Sequence, residues 1–320
     1  MLETLLDPLF LFFLVGFIGG VLRSELKLPE AVYHLLSTYL LLAIGLKGGV
    51  QLAKATAGEV ALPALAALAL GVVMAVTVFF LAAKIGRLAR ADAAAFAAHY
   101  GSTSAVTFAA VIATLARVGT PHEGFLPVLL VIMEIPAILI AIFLHRMGAK
   151  TRGAGYGAVV HEVMLNRSVF LLLAGMAIGL AAGPGRFEPF EVLFVTAFKP
   201  ILAFFVLEMG LLAAQRIPEL RKSGVFVGAA AVGVPLFGGA LGGWAGLQAG
   251  LSPGGATVLA TLTASASYIA APAAVRVAIP EAKTGLCVAA ALGITFPFNL
   301  AFGIPLYGWW VDWLAARSTA

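Results

Sequence analysis

Tyr100-Gly101-Ser102-Thr103-Ser104 and Thr263-Ala264-Ser265-Ala266-Ser267-Tyr268 are two short polar runs in apolar surroundings, with Ser102 and Ser265 separated by 163 residues in a chain of 320. A helix that spans a membrane must satisfy its backbone internally. A glycine with clustered hydroxyls in its middle is therefore costly unless that backbone lines a protected or water-filled cavity. Gly101 precedes Ser102, Thr103 and Ser104, residue types preferred at helix N-caps, and residues 105–116 can resume a helix. Ser265 and Ser267 stand equivalently before residues 268–277. Both runs predict a broken membrane helix.

Composition places those helices in a bilayer. The chain is 62% hydrophobic and 11% charged, with a mean hydropathy of +1.04, which is more apolar surface than a soluble core of this length can bury. Runs at residues 9–22, 61–83, 125–144 and 168–182 approach the ~20 residues a spanning helix needs. The alternation of a membrane barrel is absent. The first stretch carries Glu3 and Asp7, no Lys or Arg at its head, and no small-residue cleavage site before Arg23, so it reads as a retained helix rather than a secretory signal. The single cysteine, Cys287, excludes an intramolecular disulfide or a multi-thiolate metal site. Phosphate-loop, zinc and nucleophile-elbow signatures are not found, so nothing points to an enzyme.

The net charge of +5 comes from basic residues scattered through the connections, not from a run that would bind nucleic acid. Ten spans place loops near residues 23–30, 47–60, 84–91, 117–123, 146–167, 184–188, 216–222, 244–254 and 276–283. One set of alternate loops then holds 14 Lys and Arg, and the other set with both termini holds 5. The positive-inside rule makes the first set cytoplasmic and puts both termini outside the inner membrane.

The offset between the serine runs recurs elsewhere. Ile135-Pro136 returns as Phe296-Pro297 after 161 residues, and Leu42-Ala43-Ile44-Gly45-Leu46 returns as Leu207-Glu208-Met209-Gly210-Leu211 after 165. With five spans per copy, the second copy enters the membrane from the opposite side. The expected fold is an all-α integral membrane protein of ten transmembrane helices in two inverted five-helix repeats, residues 1–150 and 166–320, with breaks in spans 4 and 9. A cytoplasmic connection at 151–165, containing Gly153, Gly155 and Gly157, joins them.

Inverted spans 4 and 9 bring two half-helix N-termini together near the midplane, where free N–H groups and helix dipoles favour a small anion. The competing reading is that the hydroxyls only allow close helix packing; two runs at one offset favour a site. Intramembrane polar groups are expensive and usually pair or bind ions. Glu134 lies two residues before Pro136 and Asn299 two after Pro297. With Thr107, Thr263, Thr295 and carbonyls at the breaks they offer the oxygen ligands a hard cation such as sodium needs. Structural hydrogen bonds to neighbouring helices remain the alternative for Glu134 and Asn299. His99 reads as a packing or water-contact residue, and Lys47 and Lys199 can snorkel to an interface. The glycine-rich stretch 242–255 reads as a loop, and Tyr307, Trp309, Trp310 and Trp313 as an interfacial belt.

Four stretches carry a resemblance: Leu40-Leu41-Leu42-Ala43-Ile44-Gly45-Leu46-Lys47-Gly48-Gly49, Tyr100-Gly101-Ser102-Thr103-Ser104-Ala105-Val106-Thr107-Phe108, Ala264-Ser265-Ala266-Ser267-Tyr268-Ile269-Ala270-Ala271-Pro272-Ala273 and Thr295-Phe296-Pro297-Phe298-Asn299-Leu300. In them the chain resembles the sodium-dependent bicarbonate transporter family (SbtA), over essentially its whole length. The resemblance implies a core and a gate domain each built from both repeats, a homotrimer in the membrane, and bicarbonate uptake driven by inward sodium. It places bicarbonate at Gly101, Ser102, Thr103 and Ser104 on one side and Ser265, Ala266, Ser267 and Tyr268 on the other. Sodium would lie beside it, with Glu134, Thr263 and Asn299 as candidates. A soluble PII-like regulator would meet the basic cytoplasmic connections. The expected function is thus sodium-coupled symport of bicarbonate. A symporter of another small anion such as a carboxylate, a channel and a membrane sensor are the alternatives.

Overall fold

The computed structural model describes residues 6–26, 28–147, 155–222 and 224–318. Lys27, Lys150, Arg152 and Gly153, which figured in the expected cytoplasmic connections, lie outside them. Among the described residues every regular element is helical. Eight helical stretches are long and apolar enough to cross a membrane, and Pro8–Val21 is a shorter apolar helix.

Polar residues start the helices and apolar residues fill them. Helix α1 (Pro8–Val21) begins where the Asp7 carboxylate accepts from Leu9 N at 2.9 Å, with Pro8 in the first turn. Helix α2 spans Glu30–Leu52. A capping box between Thr56 and Glu59 opens α3 (Ala57–Ile85). Then come α4 (Arg90–Gly101), α5 (Ala105–Val118), α6 (Leu126–Arg146), α7 (Tyr156–Leu165) and α8 (Arg167–Phe187). After two short turns the chain continues with α9 (Phe198–Gln215), α10 (Ile217–Lys222), α11 (Val225–Gln248), α12 (Pro253–Thr263) and α13 (Ala270–Ala278). Helix α14 starts as Thr284–Ala290, passes through two wide π turns at Ala291–Thr295 and Asn299–Gly303, and ends as Ile304–Ser318.

Several expected loops are helical. Helix α2 runs on to Leu52, α7 and α10 occupy parts of the connections at 146–167 and 216–222, and α11 extends to Gln248. The glycines at 242 and 243, read as loop residues, belong to α11 and serve close packing instead. A Cβ at Gly242 would stand 2.5 Å from Thr263 Oγ1, and one at Gly243 2.8 Å from Val311. Tyr307 also departs from expectation: it is buried in the protein rather than placed in a belt. Trp309 is exposed, and Trp310 stacks on Trp313 with ring centroids 5.1 Å apart.

Packing sorts the helices into two groups. In the first, α2 lies along α8, α1 along α9, and α2 touches α9. Small residues four apart make these contacts close: Gly45 and Gly49 meet Gly175 and Gly179, while Gly16 and Gly20 meet Gly210 and Ala214. In the second group α3 packs on α6 and on α4, and α11 packs on α12 and on α14. The candidate site lies where the two helix breaks meet.

Candidate functional site

Helix α4 stops at Gly101, where a Cβ would come within 2.7 Å of the Ala75 backbone on α3. Ser102 and Ser104 are extended, and α5 restarts with Ser104 as its cap, its hydroxyl accepting from Thr107 N at 3.1 Å. The second break runs from the end of α12 at Thr263 to the start of α13 at Ala270, two residues later than the sequence suggested. Ser267 Oγ accepts from Ala271 N at 3.1 Å in the first turn of α13.

The two breaks are tied to each other. Ser104 N donates to Ser265 Oγ at 2.9 Å, and that hydroxyl donates to Leu262 O at 2.7 Å. The Ser104 hydroxyl donates to Tyr268 Oη at 3.1 Å. Ser267 N donates to His99 O at 2.7 Å, which anchors the second break on the last turn of α4. Ser102 and Thr103 point the other way, toward the Glu134 and Leu130 carbonyls of α6, each at 3.4 Å.

A gap of about 10 Å³ sits at this crossing, lined by Thr103, Ser104, Glu134, Ser168, Ser267 and Tyr268, with Ala105 and Ile269 from the restarting backbone. That is the room of one water. The first N–H groups of α5 and α13 have no partner within their own helices, and the positive ends of both dipoles face this region. Glu134 is 4% exposed, and its Oε2 has no hydrogen-bond partner.

The expected residues are not all equivalent here. Thr103, Ser104, Ser267 and Tyr268 line the gap; Gly101, Ser102, Ser265 and Ala266 are buried just behind it. Of the sodium candidates, Glu134 reaches the gap. Thr107 sits one turn into α5. Thr263 donates to Leu259 O at 2.8 Å, and Asn299 Nδ2 donates to Ala264 O at 2.9 Å, so these two brace the second break. Behind them lie Tyr307 and Tyr100, which sequence reasoning did not assign to the site, and Thr295, which it offered as an oxygen ligand. Tyr307 Oη donates to Asn299 Oδ1 at 2.9 Å, and Tyr100 Oη lies 2.9 Å from Thr295 Oγ1, which donates to Ala231 O at 2.7 Å. Thr295 and Asn299 fall in the π turns of α14, a distortion frequent at functional sites. Ser168 gave one signal, a hydroxyl at the head of an apolar run.

Further cavities lie beside the gap. Ala105 and Ile269 also line a second gap of about 10 Å³, whose other walls include Leu41 and Ile44 of α2 and Phe205 of α9. Ile44 and Ala109 in turn border a cavity of about 250 Å³ at the Lys47 and Lys54 end of α2. From Tyr268 a cavity of about 600 Å³ opens toward Glu30, Glu208, Arg216 and Arg276. Glu30 opens α2 and Lys54 lies two residues beyond its end, so these separate cavities are strung along the length of α2.

A multi-pass helical membrane protein with two crossed, discontinuous helices at an internal polar gap is built as a membrane transporter. The family model of the Na+-dependent bicarbonate transporter superfamily matches residues 8–312, and the chain belongs to that superfamily, a transporter family and not an enzyme family. No curated protein matches the chain.

Proposed function

We propose that this chain is a sodium-coupled secondary transporter that takes up bicarbonate, holding the anion between the N-termini of α5 and α13. The observation that carries this reading is the hydrogen-bonded crossing of the two breaks, with Ser104 bound to both Ser265 and Tyr268. The N–H groups and dipoles of α5 and α13 bind a small anion without an intramembrane Lys or Arg. Gly101, Ser102, Thr103, Ser104, Ser265, Ala266, Ser267 and Tyr268 form its surroundings. Sodium binds beside it on the free oxygen of Glu134, with Thr107, Thr263 and Asn299 nearby. The cation offsets the anion's charge, so the fully loaded protein moves over a lower barrier than the half-loaded one. The gap of about 10 Å³ has the room of one water, so the Ser104–Tyr268 bond must open to admit the anion.

Ten spans in inverted repeats, with α4–α5 and α12–α13 as spans 4 and 9, account for the packing. α2 lies on α8 and α9 on α1, which is one contact with the repeats exchanged. The α3–α6 contact likewise has its counterpart in α11–α14. The first helix group is then the gate and the second the core, both drawing on the halves 1–150 and 166–320. The bias of Lys and Arg supports an inner-membrane protein with both termini outside and the Arg216 end cytoplasmic, where a PII-like regulator would bind. Exposed apolar side chains such as Val15, Ile18, Phe170 and Phe204 suit lipid and the subunit contacts of a homotrimer.

Uptake of labelled bicarbonate into proteoliposomes tests the reading, at a pH where carbon dioxide leakage can be subtracted. Accumulation with an inward sodium gradient, lost when choline replaces sodium at fixed membrane potential, is expected. Sodium-independent flux, or no flux through folded protein, overturns it.

A further inference from the structure

The cavity of about 250 Å³ at the Lys47 and Lys54 end is separate from the crossing of the breaks, and its composition differs. One wall comes from α2 and from the segment between α8 and α9. The opposite wall comes from α5 and the loop into α6. Ile44, Phe108, Ile112 and Phe198 make the interior apolar, and Lys47 and Lys54 supply cations. The Lys47 ammonium lies 4.8 Å from the centroid of the Phe198 ring. Among the described residues, none of the ion pairs involves Lys47 or Lys54.

Two carboxylates, Glu123 and Glu191, also line the cavity, and neither is paired with Lys47 or Lys54. Glu123 Oε1 accepts from Ser252 N at 2.6 Å beside the N-terminus of α12, whose dipole offsets its charge, and its Oε2 has no hydrogen-bond partner. Glu191 is exposed. Lys47, half-buried over the Phe198 ring and in no ion pair, is therefore the cation an occupant of the interior meets, and the apolar walls require that the occupant carry an apolar body. Bicarbonate has none.

We infer that this cavity binds an amphipathic monocarboxylate, with its carboxylate on Lys47 and Lys54 and its hydrocarbon between Phe108, Ile112 and Phe198. Charge-assisted contact at the cavity's rim and burial of hydrocarbon inside it supply the affinity. Because the walls come from different helices, the ligand bridges them and stops the movement of one wall against the other. It also blocks the way past Ile44 and Ala109 toward the breaks. Binding stands independently of the proposed transport; only the inhibition rests on that reading.

The test is saturation binding of labelled hexanoate to the purified full chain in nanodiscs, with hexanol and hexylamine as probes of the same body and different charge. Saturable hexanoate binding is expected, with hexanol and hexylamine at least about tenfold weaker. Lys47→Gln should weaken hexanoate about tenfold and Lys47→Arg should restore it. Ile112→Trp, or Ala109→Phe if the first variant folds poorly, should abolish binding. Ser267→Leu, at the breaks, should leave it intact. Non-saturable uptake of hexanoate, equal binding of hexanol, or binding unchanged in both the Lys47→Gln and the cavity-filling variant overturns the inference. Loss of binding in Ser267→Leu also overturns it, because the ligand would then sit at the breaks. Inhibition of sodium-dependent bicarbonate uptake by hexanoate is the expected consequence. If the chain moves no bicarbonate at all, the binding result still decides the site.

Discussion

Tyr268 touches both the gap at the breaks and the larger cavity at the Arg216 end, and its Oη accepts the Ser104 hydroxyl at 3.1 Å. Tyr268→Phe keeps the ring that separates the two spaces and removes one hydrogen bond, a net change of about 0.5–1.5 kcal/mol. The expected outcome is a bicarbonate KM raised about fivefold with membrane insertion unchanged, read from uptake normalised to folded protein. Glu134→Gln makes a different cut. The amide fills the same volume but carries no charge for a cation, so half-maximal sodium should rise by at least about tenfold while the protein stays folded. A sodium titration of uptake reads this directly; an unchanged sodium dependence would return Glu134 to a structural role. Thr295→Val leaves the shape of the core and strips Tyr100 Oη and Ala231 O of their partner. Orphaned buried groups cost about 1–3 kcal/mol, so this variant should melt at a lower temperature in detergent. The serines were legible because two hydroxyl runs interrupt apolar stretches at one offset, which close packing alone does not require. Tyr100 and Thr295 meet 195 residues apart, and no local pattern announces that pairing.

Among the elements, α2 and α8 approach closely enough for backbone to meet backbone. A Cβ at Gly175 would lie 2.8 Å from Leu42 O, and Gly45, Gly49 and Gly179 are as tight or tighter. Without a hydrophobic driving force between helices in lipid, such close contact is what holds two spans together. Gly175→Leu should therefore push α2 and α8 apart, at a cost of about 1–3 kcal/mol or more, and lower the yield of monodisperse protein in size-exclusion chromatography. The same substitution at Gly157 on α7, where a Cβ meets nothing within 4 Å, should have little effect. Gly45 was visible in the sequence as part of a five-residue landmark that recurs at Gly210. What the sequence concealed was the use of its glycines. Gly242 and Gly243 carry no mark that separates a loop from a crowded helix; only the neighbour, Thr263 or Val311, decides it. The π turns of α14 were hidden for a related reason, since one extra residue in a turn shifts the helical period without altering composition.

Across the whole molecule, the cavities trace a seam that few strong interactions bridge. One that does is the ion pair between Asp7, the cap of α1, and Arg117 near the end of α5, with Nε and Oδ2 2.9 Å apart. It joins α1 to α5 at the end opposite the larger cavity, so losing it should loosen that end. Arg117 keeps 39% of its side-chain surface in solvent and Asp7 12%, which limits the pair to at most about 1 kcal/mol. That energy moves a two-state equilibrium only about twofold to fivefold, enough to measure and too little to unfold anything. Asp7→Asn preserves a side-chain oxygen for Leu9 N, so α1 keeps its cap while the charge is lost. The chain offers a simple reporter of the shift, because Cys287 is its only cysteine and is buried. In a Cys287→Ala background with Ile112→Cys placed in the cavity at the Lys54 end, Asp7→Asn should speed labelling by a membrane-impermeant maleimide about twofold to fivefold. The same substitution should slow labelling of a cysteine placed at Leu212, which lines the cavity at the Arg216 end. Opposite changes at the two ends are what alternating access requires; faster labelling at both would mean that losing the pair loosens the protein rather than shifting it between two arrangements.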